Sequence, residues 1–236
     1  MISRWLICFS LSLAGTAAAA TISGKIVLRD SRVDNVKKRG DYSGVVISLT
    51  PVDRTFTPVS ARHSRMLQKD KTFTPHVLPI LAGSVVDFPN ADPIFHSAFS
   101  SYSGQIFDVG LYPPGENRAV RFIRPGIVRV FCNIHPAMSA VIVVLTTPYF
   151  ATTQKDGSFR IAAPAGEYDL KVFHERATDA TLHSLAQRIT VEKPALELNA
   201  MVISESGYVA GPHKNKYGKD YPPGAGDDAV YPGARK

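Results

Sequence analysis

A cysteine, a histidine and a methionine fall within seven residues in the stretch Cys132-Asn133-Ile134-His135-Pro136-Ala137-Met138. Thiolate and thioether are soft donors and imidazole is borderline. Joined by a second imidazole from elsewhere, they form the set that suits copper when it must pass between Cu(I) and Cu(II) with little rearrangement. The chain has only two cysteines. The other, Cys8, lies in an apolar leader, so a mature chain has no internal disulfide. A lone thiol in an oxidising compartment is kept useful by metal ligation, although a buried and inert cysteine accounts for the residue taken alone.

Something must hold these donors together. Apolar, β-branched runs at 127–131 and 140–145 flank the loop, which is too short for an intervening helix. The spacing therefore predicts a hairpin whose loop side chains converge at one end of a sheet. Upstream, Phe88-Pro89-Asn90-Ala91-Asp92-Pro93 is rich in turn formers and leads into Ile94-Phe95-His96, which sets His96 at the start of a strand just past a loop.

The loop 132–138 resembles the ligand loops of the cupredoxins, most of all the short amicyanin-like one with proline directly after the histidine. The stretch Gly83 to His96 resembles the part of plastocyanin-like members that carries the first copper histidine. The similarity covers about 71–147 and extends to methylamine-utilisation-type relatives. It implies a type 1 copper held by His96, Cys132 and His135, with Met138 as the weak axial ligand. It also implies a His135 able to leave the reduced metal in acid. One position departs: many cupredoxins follow the first histidine with an asparagine that ties the two ligand loops, and here it is Ser97, whose hydroxyl is able to donate a similar bond.

Elsewhere the chain reads as short strands and turns. Strands are predicted at 21–28 and 44–50, with a charged, glycine-punctuated loop between them and a loop over 51–70. Two strands flank Gly83, and others follow at 105–109 and 118–123. After residue 147 the Asp156-Gly157 and Pro164-Ala165-Gly166 turns separate alternating runs, and the pattern DGSFRI…PAGEYDLKV resembles the transthyretin-like regulatory sandwich of carboxypeptidases. The expected class is all-β: a cupredoxin-like Greek-key β-sandwich followed by a small transthyretin-like β-sandwich. The expected division is a signal peptide at 1–20, a copper domain at 21–147, the second sandwich at 148–203 and a disordered tail at 204–236. Which sandwich takes the strands before residue 70 is left open. His63, His174 and His183 lack soft partners in sequence and read as solvated or strand-end residues.

The leader has one early charge at Arg4, an apolar run and a small-residue end at Ala18-Ala19-Ala20, which predicts secretion to the periplasm with no membrane span. The formal charge of +7 is spread thinly. With no basic run interleaved with aromatics, it gives no case for nucleic acid. No carboxylate pair or base-flanked nucleophile is present, so no enzyme is predicted. The expected function is single-electron transfer through copper with a transient redox partner protein. A Cu(I) chaperone or storage protein, and a metal-free β-sandwich binding module, are the alternatives.

Overall fold

The computed structural model describes residues 19–53, 62–101, 104–209, 211 and 213–222. The leader expected at 1–20 lies outside this set except for Ala19 and Ala20. The described chain is almost wholly β, and its two helices, Asp34–Arg39 and Asp179–Ser184, have six residues each. Two sandwiches form, each around its own buried cluster.

The first sandwich carries the ligand loop. Its larger sheet runs Val77–Leu81, Ser139–Leu145, Gly126–Phe131, His96–Ser100 and Phe107–Tyr112. Opposite it, Asn117–Arg121, Val85–Pro89 and His63–Arg65 make a three-stranded sheet. Alternation places Val128, Val130, Ala140, Ile142 and Val144 inward against Val86, Phe88 and Phe122. The predicted ligand hairpin is present, with Gly126 opposite Val144 and Phe131 opposite Ser139. The strands on either side of Gly83 are also present, but they pair into opposite sheets: Val77–Leu81 runs parallel to Ser139–Leu145, and Val85–Pro89 pairs with Asn117–Arg121. That turn crosses the sandwich.

In the second sandwich the N-terminal strands pair with strands that follow residue 147. Ala20–Arg29 pairs antiparallel with Ser158–Ala163 and parallel with Ala195–Glu197 and Met201–Ser204. Val46–Pro51 lies between Phe150–Thr152 and Gly166–Phe173, with Gln187–Val191 beyond. Hydrophobic alternation marks a strand but not its distant partner, and these partners lie roughly a hundred residues or more downstream. Gly157 shows the closeness of the join: its φ is +83°, its carbonyl accepts from the Ile26 N–H at 2.9 Å, and an added Cβ would run into the Ile26 carbonyl. The ligand sandwich is therefore nested within the other. The two points where the chain leaves and returns are bonded, Leu49 N–H to the Tyr149 carbonyl at 2.8 Å and Thr147 Oγ1 to the Leu49 carbonyl at 2.6 Å.

Three smaller expectations differ. The predicted loop at 29–43 contains the Asp34–Arg39 helix, closed by Gly40 in the left-handed region. The predicted loop at 51–70 carries strands at His63–Arg65 and Leu67–Lys69. His183 sits on the Asp179–Ser184 helix, not at a strand end.

The sandwiches meet through Val46, Val141 and Val143, with Val77, Ile127, Leu145 and Phe173 packed around them. Beside this seam, His76 of the ligand sandwich pairs with Glu175 at 2.9 Å. Glu175 also holds Arg176, which in turn meets Glu205, the acceptor for buried His174.

Candidate metal centre

His96 opens its strand, and Cys132 and His135 lie just past the end of Gly126–Phe131, so the sheet brings the two loops together at one edge. The ligand loop is closed from within. The Cys132 N–H donates to the Met138 carbonyl at 3.1 Å and the Met138 N–H to the His135 carbonyl at 3.0 Å.

The side chains converge. Cys132 Sγ lies 3.4 Å from His135 Nδ1 and 3.9 Å from His96 Nδ1, and one donor atom from each residue falls within 4.8 Å of the other two. The imidazole centroids are 4.7 Å apart. His96 and Cys132 have no exposed surface, and His135 keeps 7%. Among the described residues this is the one group of three or more histidine, cysteine or acidic side chains close enough to share a metal ion. Met138 is buried in the same core cluster as Cys132.

The electrostatics couple the three side chains. Burial pushes the Cys132 thiol up, but His135, His96 and the N–H groups of Ile134 and Ser97 outweigh it and bring it down to about 5. Burial depresses the His96 imidazole, yet Cys132 and Asp92 together raise it above its ordinary value. Asp92, one turn former among several in the sequence, proves to be the residue that orients this ring. Its Oδ2 lies 2.7 Å from His96 Nε2. Because an ionised carboxylate only accepts, Nε2 carries a proton toward Asp92, and Nδ1 is the nitrogen that faces Cys132. Burial resists ionisation of Asp92, but the Lys71 N–H, His96 and the Asp70 N–H hold its carboxyl below the usual range. Those two backbone bonds, 2.9 and 2.6 Å, secure a turn in which both Asp70 and Lys71 have φ of 54°.

Ser97 does the tying that its position calls for. Its hydroxyl accepts from the Asn133 N–H at 2.8 Å and donates toward Cys132 Sγ at 3.7 Å, joining the His96 strand to the ligand loop.

A last set of contacts comes from the segment expected to be disordered. His213 stacks on Phe131, and Tyr221 donates to the Cys132 carbonyl. Composition conceals this, because the contacts are ring faces and hydrogen bonds with no apolar period. His63 is exposed and bonded to Asp87.

The donor set fits copper, with two imidazole nitrogens facing the Cys132 sulfur in a buried pocket and one imidazole fixed by a carboxylate behind it. No family model and no curated protein matches the chain. Solved structures do. A Cu-containing nitrite reductase from Thermus scotoductus is 25% identical over 41% of this chain and 25% of its own, with a TM-score of 0.34. The chain thus spans about a quarter of that protein. A purple cupredoxin from Nitrosopumilus maritimus is 19% identical over 35% of this chain and 99% of its own, with a TM-score of 0.32. Amicyanin from Paracoccus versutus is 20% identical over 42% of this chain and 97% of its own, with a TM-score of 0.33.

Proposed function

We propose that the chain is a periplasmic single-electron carrier with copper held by His96, Cys132 and His135, and by Met138 on a weak axial position. The observation that carries this reading is the meeting of one donor atom each from His96, Cys132 and His135 within 4.8 Å of one another in a buried pocket. Copper bound there would supply a one-electron Cu(II)/Cu(I) couple. The chain's own part is to hold the donors in place. Asp92 fixes the His96 ring, Ser97 ties the loops, and the hairpin sets the distance from Cys132 to His135, so that little moves when the charge changes. The partner would be a redox protein that docks weakly and transiently. Among the described residues no helix is long and apolar enough to cross a membrane.

The test is an optical and spin-resonance spectrum of the copper-loaded chain. An intense visible band at one copper per chain, lost in Cys132→Ser, is expected. A band that survives that substitution overturns the thiolate assignment.

The low exposure of His135 favours a second reading, a protein that holds Cu(I) without cycling it. The same donors suit that ion. A reversible couple in voltammetry excludes it.

A further inference from the structure

Residues 213–222 grip the ligand loop at three points from outside, and the end of the strand before it at a fourth. The His213 ring stacks on Phe131 at 3.9 Å between centroids and 24° between planes, and its Nε2–H donates to the Pro136 carbonyl at 2.7 Å. The Lys216 N–H donates to Asn133 Oδ1 at 3.0 Å, while its ammonium reaches Asp108 on the neighbouring strand at 2.8 Å. The Tyr221 hydroxyl donates to the Cys132 carbonyl at 2.8 Å. Both limbs of the loop are therefore held, one before and at Cys132 and the other beyond His135.

The segment is a unit in its own right. Asn215 Oδ1 accepts from the N–H groups of Tyr217 and Lys219, the Gly218 N–H returns to the Asn215 carbonyl, and Lys214 pairs with Asp220. None of its side chains enters the buried clusters of either sandwich. The contacts just described are a ring face, hydrogen bonds and one ion pair, all with groups that water can satisfy, so the segment can lift while the sandwich beneath stays folded.

We propose that residues 213–222 are a strap that keeps the 132–138 loop shut. Cys132 has no exposed surface, so a reagent reaches it, or a bound metal leaves it, only when the loop opens, and the loop opens only when the strap lets go. The inference concerns the copper site and rests on the copper reading for its metal arm alone. Its thiol arm needs no metal.

The test measures alkylation of Cys132 by iodoacetamide in the metal-free full chain, read on the peptide that holds Cys132. His213→Ala, and a chain ending at Gly211, should react about ten-fold faster or more than wild type. Tyr221→Phe removes one hydroxyl and should react about five-fold faster, the effect of one hydrogen bond. Lys219→Ala, which touches no loop residue, should match wild type. Rates within about two-fold of wild type in all the strap variants overturn the proposal, and if the shortened chain fails to fold, Tyr221→Phe decides. Withdrawal of Cu(I) by bicinchoninate should accelerate in the same order, and unchanged withdrawal overturns the metal arm. If no copper is taken up at all, the function proposed above fails while the alkylation rates still judge the strap.

Discussion

The Asp92 carboxylate and the His96 imidazole face each other at 2.7 Å, both buried, four residues apart in the turn that delivers the strand. Such a carboxylate makes the imidazole a stronger donor, which favours Cu(II) over Cu(I). Asp92→Asn keeps the shape and removes the charge. Cu(II) affinity should fall about ten- to a hundred-fold. Each tenfold loss not shared by Cu(I) raises the one-electron potential by about 59 mV. Voltammetry with a competitive Cu(II) titration checks both, and a potential that falls or stays put counts against the role of Asp92.

Ser97 predicts a shift of opposite sign. Its hydroxyl stabilises negative charge on the Cys132 sulfur, and a reduced site carries more of that charge. Ser97→Ala should therefore lower the potential while costing about 1–3 kcal/mol of stability, because the Asn133 N–H loses its partner. Voltammetry and denaturant unfolding on the same sample separate the two effects.

Met138→Leu distinguishes an axial donor from a packing residue. The swap nearly conserves volume, so stability should change by less than about 1.5 kcal/mol. If the thioether is a weak ligand, copper stays and the potential rises, since the axial donor favours the oxidised ion. An unchanged potential with unchanged spectrum would assign Met138 to packing alone.

The pair across the seam between the sandwiches gives a pH dependence. His76 is raised above its ordinary 6.5 chiefly by its bond to Glu175, so its contribution is full below 6.5 and is lost as pH rises through the raised value. For Glu175 burial works the other way, but His76 and Arg176 hold it below its ordinary 4.5, so its share is present above 4.5 and is lost as pH falls through the lowered value. The pair is thus complete between 4.5 and 6.5. His76 is 47% exposed, which limits the effect to less than about 1 kcal/mol. The gap in melting temperature between wild type and His76→Gln should be widest in that window and close above it. A gap independent of pH would assign the cost of the substitution to packing.

Residue chemistry and short-range pattern make the donor loop legible in the amino-acid order alone. Soft donors at close spacing are rare, and a hairpin is the simplest way to hold them. His96 is legible from the turn formers before it, whereas Asp92 hides among those formers, although an acid four residues before a buried histidine is a usable signal. The placement of Ala20–Arg29 and Val46–Pro51 is not legible, because strand pairing over long separations leaves no local mark. The contacts of His213 and Tyr221 are hidden for a related reason: a ring stack and a bond to a carbonyl ask nothing of neighbouring residues.

Nesting one sandwich within the other sets an order on synthesis. Ala20–Arg29 is made early, but its partners, Ser158–Ala163 and Met201–Ser204, emerge only after the whole ligand sandwich has been produced. The ligand sandwich has all its strands in hand first and is free to close around its donors while the outer strands still wait. A chain interrupted before residue 158 would then hold a folded first sandwich, its Cys132–Met138 loop still without the contacts of residues 213–222, attached to an unfinished frame, with the unpaired edge of Ala20–Arg29 exposed to whatever strand it meets next.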